Sequence, residues 1–196
     1  LIASENTPSP FVEGMIVEEL NRRYGYYSGM DPDNQSYQGT RHVAEIEKLT
    51  HEVARDLFGA EYVDLRALSG NIAGIIAMFA LGNPGDTVLE VQNAHQYANK
   101  LASSGLRVDL KSVAIPWDGQ NYNIDLDGTL ALIEEHRPQL VLLGSAMFLF
   151  PQPIREIRGA MDVHCPGSYL IYDAAHVMGL IAGGRFQQPL AEGADV

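Results

Sequence analysis

The sequence predicts an α/β protein built on a mostly parallel sheet flanked by helices. Beyond residue 60, short apolar runs typical of buried strands alternate with segments whose apolar residues recur at helical spacing. This alternation is typical of parallel sheets covered by helices on both faces. With 196 residues, 46% of them hydrophobic, the chain is long enough to close a core, and we expect residues 1–196 to form a single domain.

The N-terminal third predicts two helices joined by a long loop. Ser9-Pro10 is a favoured helix start, with Ser as N-cap and Pro in the first turn, and predicts a helix to about Arg23. The segment from Gly25 to Gly39 has no hydrophobic period and is predicted to be a loop, of a length that is usually functional or mobile. Apolar residues at helical spacing from Val43 to Leu57 predict an amphipathic helix, which Gly59 ends.

The remainder supplies the sheet and the helices that cover it. Strands are predicted at Tyr62–Leu68, Thr87–Val91, Val108–Ile115, Leu140–Leu143 and Tyr169–Tyr172. Helices are predicted over Asn71–Leu81 and from a cap at Asp127 to His136, with turns at Gly82–Asp86 and Trp117–Gln120. Ligands of such sheets bind beyond the carboxyl ends of the strands, so the residues that follow the strands are the candidate site.

Composition limits the classes of partner. The formal net charge of -12 argues against nucleic acid or an anionic membrane surface. The single cysteine, Cys165, cannot form an internal disulfide, which favours a reducing, cytoplasmic location. The chain has no zinc-type ligand spacing and no apolar run near the ~20 residues of a membrane helix, and no G-x-G-x-x-G follows the first strand, so we expect neither a metal site nor a nicotinamide cofactor.

Three strand ends carry side chains that together suit one ligand. Ser69-Gly70-Asn71 opens a helix, where free backbone N–H groups and a hydroxyl form a cup for a phosphate. His95 and Tyr97 carry rings that could lie against a planar ligand. Asp173 could hold a protonated ring nitrogen, with His176 one turn away. The combination describes pyridoxal 5'-phosphate, whose pyridine nitrogen needs an anionic partner.

Each of these residues also has a plainer interpretation. Ser69 and Asp173 are both favoured helix caps, and a histidine in a loop, such as His95, is most often only solvated. The cofactor site is therefore predicted from the combination and not from any one motif.

Six segments resemble the serine hydroxymethyltransferase family in order and approximate spacing. They are Leu1-Ile-Ala-Ser-Glu-Asn6, Leu57-Phe-Gly-Ala-Glu-Tyr62, Ser69-Gly70, Pro84-Gly-Asp-Thr-Val88, Ala94-His95 and Asp173-Ala-Ala-His-Val-Met-Gly179. The resemblance implies a fold type I pyridoxal-phosphate enzyme, of which this chain is the N-terminal part of the large domain. It further implies reversible transfer of the serine hydroxymethyl group to tetrahydrofolate, giving glycine, in a homodimer or tetramer with its active site at the subunit interface.

The resemblance also implies roles for individual residues. They are substrate contact for Ser4, phosphate binding for Ser69, Gly70 and Asn71, the pyridine nitrogen for Asp173, and the cofactor region for His176. Tyr24 and Tyr37 look like the two active-site tyrosines of the family, which reach across from the partner subunit.

The chain departs from the family at several site positions. Tyr26 stands where the family has a Glu that serves as acid or base, and a phenol with a pKa of about 10 is a poor replacement. Ala98 stands where the family has its ring-stacking His, which leaves His95 or Tyr97 for that position. Apolar Met147-Phe148 stands where the family has a Ser near the ring hydroxyl, with Ser145 close by.

The Schiff-base lysine is expected beyond Val196. Lys48, Lys100 and Lys111 are the only lysines, and none has the Thr-His-Lys context of the family.

Two alternatives to folate-dependent hydroxymethyl transfer stay open. Tyr26 and the altered Ala94–Ala98 segment favour a folate-independent aldolase, transaldolase or alpha-methylserine hydroxymethyltransferase with the same cofactor. The other alternative is a non-catalytic relative that serves as a binding subunit. It would be favoured if the chain beyond Val196 had no lysine that follows a strand and a His.

Overall fold

The computed structural model describes residues 5, 7–23, 31, 33–34, 37–91, 95–98, 101, 109–147 and 149–196. The chain divides into two compact units, Glu5–Arg66 and Ala67–Val196. In the first unit lie helices α1 (Pro10–Met15) and α2 (Arg41–Phe58), with short 3-10 helices at Glu19–Arg22 and Gln38–Thr40. The second unit contains α3 (Gly70–Leu81), β1 (Thr87–Val91), β2 (Lys111–Ile115), β3 (Trp117–Asp118), β4 (Asn123–Ile124), α4 (Leu126–His136), β5 (Leu140–Leu143), α5 (Ile154–His164), β6 (Tyr169–Tyr172), α6 (Met178–Ala182) and α7 (Pro189–Glu192).

The second unit is built on a parallel sheet of four strands in the order β2-β1-β5-β6. In register, Leu89 of β1 pairs with Val113 and Val141, and Leu142 of β5 pairs with Ile171. Every residue of β5 is buried, which explains why that strand reads as an unbroken apolar run and not as an alternating one. Because the strands are parallel, their carboxyl ends meet at one edge of the sheet, as the sequence predicts.

Both predicted helices of the first unit are present, and one of them is shorter than predicted. Helix α2 ends at Phe58, and Gly59 follows in the left-handed conformation with φ of 64°. Helix α1 begins after Ser9, whose side chain accepts a hydrogen bond from the Val12 N–H. It ends at Met15 and not near Arg23, because the Asn21 side-chain amide donates to the carbonyls of Met15 and Ile16 and so caps them.

The predicted strand at Tyr62–Leu68 is wrong. The backbone there is irregular, and the side chains of Tyr62 and Leu68 are 85% and 90% exposed. The charged pair inside the segment bonds to itself: the backbone N–H and guanidinium of Arg66 both donate to the Asp64 carboxylate. The hydrogen bonds from Arg66 lower the pKa of Asp64 to about 2. They also form a local turn where a ladder with a neighbouring strand was expected.

One helix boundary and one whole helix also differ from the sequence prediction. The cap of α4 is Asp125 and not Asp127, since the Asp125 carboxylate accepts from the Gly128 N–H at 3.1 Å. Helix α5 was not predicted, although Ile154, Ile157 and Met161 recur at helical spacing and are its buried residues. The predicted start of β2 at Val108 and most of the predicted loop from Gly25 to Gly39 lie outside the described residues.

In the described ranges, no helix has the length and apolar character needed to cross a membrane. The same part of the chain holds no group of three or more His, Cys, Asp or Glu side chains arranged to bind a metal ion.

Candidate functional site at the carboxyl edge of the sheet

One tyrosine joins the segments that follow β1 and β6 to the start of α3. The Tyr97 hydroxyl donates a hydrogen bond of 2.9 Å to Asp173 Oδ2 and lies 3.3 Å from the Gly70 carbonyl oxygen. The three segments singled out in the sequence, two strand ends and one helix start, therefore meet at one point of the second unit.

Both oxygens of the Asp173 carboxylate are held by the protein. Oδ1 accepts from the Ala175 N–H at 3.0 Å, and Oδ2 accepts from Tyr97. Asp173 thus bonds to the turn that follows β6 and does not cap a helix, since α6 begins at Met178 with Val177 as its cap. Its side chain is only 15% exposed. Since an ionised carboxylate offers about four acceptor positions, it can still accept a further donor from a ligand.

Gly144, the first residue after β5, allows the backbone to approach Asp173. Its φ is +120°, and a Cβ there would lie 2.6 Å from the Asp173 carbonyl oxygen. A glycine is therefore required at this position both by conformation and by space.

One histidine lies beside this carboxylate, and a second histidine stacks on the first. The ring of His95 stacks on that of Tyr97 at a centroid distance of 5.8 Å and on that of His176 at 5.7 Å, and its Nε2 lies 3.9 Å from Asp173 Oδ2. Among the described residues, the buried atoms His95 Nε2 and His176 Nδ1 have no hydrogen-bond partner. Buried polar atoms are nearly always paired in folded proteins, so two such atoms on two stacked rings, one of which lies near this carboxylate, suit a polar ligand.

Tyr97 is buried beneath α3. Its side chain is only 3% exposed, and its ring fills the space beside Gly74, where a Cβ would come within 2.3 Å of the ring. Burial, and then the charge of Asp173, raise the pKa of Tyr97, so the phenol keeps its proton and remains a donor. Of the two ring-bearing candidates, His95 is the one that remains partly exposed.

Replacing Gly74 with alanine is expected to destabilise the protein by about 1–3 kcal/mol, because the new methyl group overlaps the Tyr97 ring. The matched control is Gly159→Ala, another glycine inside a helix, where an added Cβ meets nothing within 4 Å. That change should stabilise by up to about 1 kcal/mol through helix propensity. Urea unfolding of both variants provides the measurement, and equal effects of the two changes would contradict the close packing.

The predicted phosphate cup opens α3. Ser69 is the N-cap, and its hydroxyl oxygen accepts from the Ile72 N–H at 3.3 Å, so the plainer capping role is present. The first N–H groups of a helix have no partner within the helix, and here they belong to Gly70 and Asn71. The Ser69 hydroxyl proton is not needed for capping and is available to an anion.

Other predicted site residues lie elsewhere. Ser4 and Tyr24 lie outside the described residues, as does Tyr26. Tyr37 belongs to the first unit, is 44% exposed, and its carbonyl accepts from the N–H and hydroxyl of Thr40. After β5, Ser145 Oγ accepts from the Met147 N–H at 3.2 Å.

Sequence reasoning missed Glu90, which lies fully buried in the middle of β1. One of its oxygens accepts from the Ala98 N–H at 2.8 Å and the other from the Ser112 hydroxyl at 2.7 Å. Glu90 therefore anchors the segment that carries His95 and Tyr97. The only signal in the sequence was an acid inside an otherwise apolar strand.

A pair of buried glutamines, also missed, holds the ends of β5 and β6. Gln152 Oε1 accepts from the Gly144 N–H at 2.9 Å. Gln187 Oε1 accepts from the Gln152 N–H at 2.8 Å and from the Tyr172 hydroxyl at 2.9 Å. Because Gly144 and Tyr172 both adjoin Asp173, these glutamines help to fix the backbone around the carboxylate.

A parallel sheet covered by helices, with a carboxylate and a helix N-terminus at its carboxyl edge, defines an α/β fold of the type I pyridoxal-phosphate class. The solved structure of an L-threonine transaldolase from Pseudomonas fluorescens, in its internal aldimine state, matches with a TM-score of 0.84 and 25% identity, over 100% of this chain and 44% of that one. The chain belongs to the serine hydroxymethyltransferase family, whose model matches residues 1–196.

Named relatives agree with this assignment. The serine hydroxymethyltransferase of Methanopyrus kandleri is 41% identical over 100% of this chain and 45% of its own length. Those of Pyrobaculum islandicum and Archaeoglobus fulgidus are 41% and 40% identical, over 99% and 100% of this chain and 44% of their own lengths. The chain thus spans less than half the length of these relatives.

Proposed function

We propose that the complete protein is a pyridoxal-phosphate enzyme that reversibly transfers the serine hydroxymethyl group to tetrahydrofolate, giving glycine. The observation that carries the proposal is the Asp173 carboxylate at the carboxyl edge of the sheet, 3.9 Å from His95 Nε2, in a chain of this family. The donors and acceptors present there fit the cofactor: a carboxylate for the ring nitrogen, a helix start for the phosphate and a partly exposed ring for stacking.

In this proposal the residues of the chain bind and orient the cofactor. Asp173 accepts a hydrogen bond from the protonated pyridine nitrogen. The phosphate is held by the Ser69 hydroxyl and by the N–H groups of Gly70 and Asn71, and His95 stacks on the ring. His176 lies against His95 and supports its orientation. When bound, pyridoxal phosphate supplies an electron sink for bond breaking at the alpha carbon of the amino acid.

The remaining roles rest on the family pattern alone. We assign substrate contact to Ser4 and proton transfer or substrate contact to Tyr24 and Tyr37, in an active site completed by a second subunit of a homodimer or tetramer. The Schiff-base lysine is assigned to the chain beyond Val196. A cytoplasmic location is proposed because the single cysteine, Cys165, is buried and unpaired.

A folate-independent reaction on the same cofactor is the second candidate. Two observations favour it: the fold likeness to an L-threonine transaldolase, and Tyr26 in the place of the family's Glu. An aldolase or transaldolase would use the same Asp173 site. Either would differ from a hydroxymethyltransferase in the fate of the carbon fragment, which is not passed to folate.

The test uses the complete protein and its visible absorbance with glycine, with and without tetrahydrofolate. A long-wavelength band that appears with glycine and strengthens with folate is the expected result. A band that ignores folate would favour the transaldolase or aldolase reaction. A protein without cofactor absorbance, even after addition of pyridoxal phosphate, would contradict the proposal and leave a binding subunit.

A further inference from the structure

We propose that Tyr97 is a positioning residue, which acts on the cofactor only through Asp173 by fixing the plane of its carboxylate. The inference rests on the proposed function, since it concerns the same site. Its basis is the 2.9 Å hydrogen bond from the Tyr97 hydroxyl to Asp173 Oδ2, between residues 76 positions apart in the chain.

The two oxygens of Asp173 are each held from a different direction. The Ala175 N–H holds Oδ1 from the chain that follows β6, whereas Tyr97 holds Oδ2 from the chain that follows β1. With one donor on each oxygen, rotation of the carboxylate about its Cβ–Cγ bond would break at least one hydrogen bond. The remaining acceptor positions therefore keep a fixed direction, which is what a bond to a ring nitrogen requires.

The structure also holds Tyr97 itself in place. The ring fits against Gly74, where no side chain could be accommodated. On the other side, the next residue along the chain, Ala98, donates its N–H to the buried Glu90 carboxylate. Ring and backbone are thus fixed independently, and the hydroxyl has little freedom to leave Asp173.

A role for Tyr97 in direct cofactor stacking fits the structure less well. Its side chain is 3% exposed and packed under α3, while the His95 ring contacts the Tyr97 and His176 rings and remains partly exposed. The raised pKa of Tyr97 keeps it a neutral donor, so it does not exchange protons near neutral pH. Of the two oxygens near the Tyr97 hydroxyl, Asp173 Oδ2 at 2.9 Å is closer than the Gly70 carbonyl oxygen at 3.3 Å, so the hydroxyl acts mainly on Asp173.

The experiment compares two ligands on the complete protein freed of cofactor. One is pyridoxal phosphate, and the other is its deaza analogue, in which the ring nitrogen is replaced by CH. The ratio of the two dissociation constants reports the contact between Asp173 and the nitrogen. Binding is followed by absorbance and by quenching of intrinsic fluorescence, neither of which requires turnover.

In Tyr97→Phe we expect the affinity for pyridoxal phosphate to fall about tenfold, as for a lost hydrogen bond to a charged group, while the affinity for the deaza analogue changes little. The ratio of dissociation constants should therefore shrink toward one. The matched control is Ser168→Ala, which removes a buried hydroxyl that donates to the Pro138 carbonyl at the amino end of β6, away from Asp173. It should destabilise to a similar degree in urea and leave the ratio unchanged.

Equal losses for both ligands in Tyr97→Phe would overturn the inference, because they would show general damage to the site. Unchanged affinities for both ligands would overturn it as well. Failure of the proposed function has a different signature, since it appears in the unsubstituted protein: either no binding of pyridoxal phosphate, or equal affinity for the two ligands.

Discussion

Replacing Asp173 with alanine is expected to lower kcat of the complete enzyme by at least about a hundredfold, the size of effect seen when one preorganised electrostatic group is removed from an active site. The reason is that Asp173 is the carboxylate proposed to keep the cofactor ring protonated, and the ring accepts electrons well only in that form. The measurement is the rate of serine cleavage with tetrahydrofolate, or of aldol cleavage if folate has no effect.

Asp173→Asn separates charge from shape in the same experiment. The amide oxygen can keep one of the two hydrogen bonds, to Ala175 or to Tyr97, but the residue has no negative charge to pair with a pyridinium. We expect Asn to retain more stability than Ala and to lose nearly as much activity. The surface variant Asp127→Asn, in the exposed first turn of α4, is the control and should be fully active. Near-normal activity of Asp173→Asn would contradict the electronic role of the carboxylate.

The parts of the fold that the sequence predicts are those that local patterns determine. The apolar run of β5 and the amphipathic spacing of α2 report burial directly, and Gly59 marks a helix end because its backbone is left-handed. The segment Tyr62–Leu68 has the same apparent pattern as a strand. There, the pairing of Asp64 with Arg66 within the segment competes with sheet formation, and alternation alone does not reveal that competition.

The candidate site likewise contains residues that local patterns predict and contacts that they do not. The strand-end rule selects Asp173 because parallel strands bring their carboxyl ends to one edge. The same rule selects Ser69 and Gly70 after the wrongly predicted strand, and they reach the site because they open α3. The contact of Tyr97 with Asp173 depends on how two distant segments pack under α3, and no local spacing encodes it. Sequence reasoning therefore treats His95 and Tyr97 as equivalent ring-bearing residues, whereas packing against Gly74 gives them different environments.

Glu90 shows why the site cannot be understood from its exposed residues alone. Its fully buried carboxylate joins β1 to the Ala98 backbone and to the exposed Ser112 on the neighbouring strand β2. An isolated carboxylate is costly to bury, and here its two accepted hydrogen bonds offset that cost. The arrangement links the interior of the sheet to the segment that positions Tyr97, and through it to Asp173.

Replacing Glu90 with alanine is accordingly expected to destabilise the protein by about 2–4 kcal/mol, the range for a large-to-small change in the core that also leaves a buried donor without its acceptor. The Ala98 N–H and the Ser112 hydroxyl lose their acceptor, and a cavity remains in the core. Urea unfolding of the complete protein measures the change. The same variant should weaken cofactor binding, because the segment that carries Tyr97 loses its anchor.

Glu90→Gln tests whether hydrogen bonding or charge is responsible. The amide oxygen can accept from the Ala98 N–H while the amide group donates to the Ser112 hydroxyl, which accepts as readily as it donates. We therefore expect Gln to stay within about 1 kcal/mol of the unsubstituted protein. Ser112→Ala removes only one of the two bonds and should fall between the Gln and Ala variants. If Glu90→Gln proved as unstable as Glu90→Ala, the charge of Glu90 and not its two hydrogen bonds would be what holds the segment, and the structural link from β1 to Asp173 would need a different explanation.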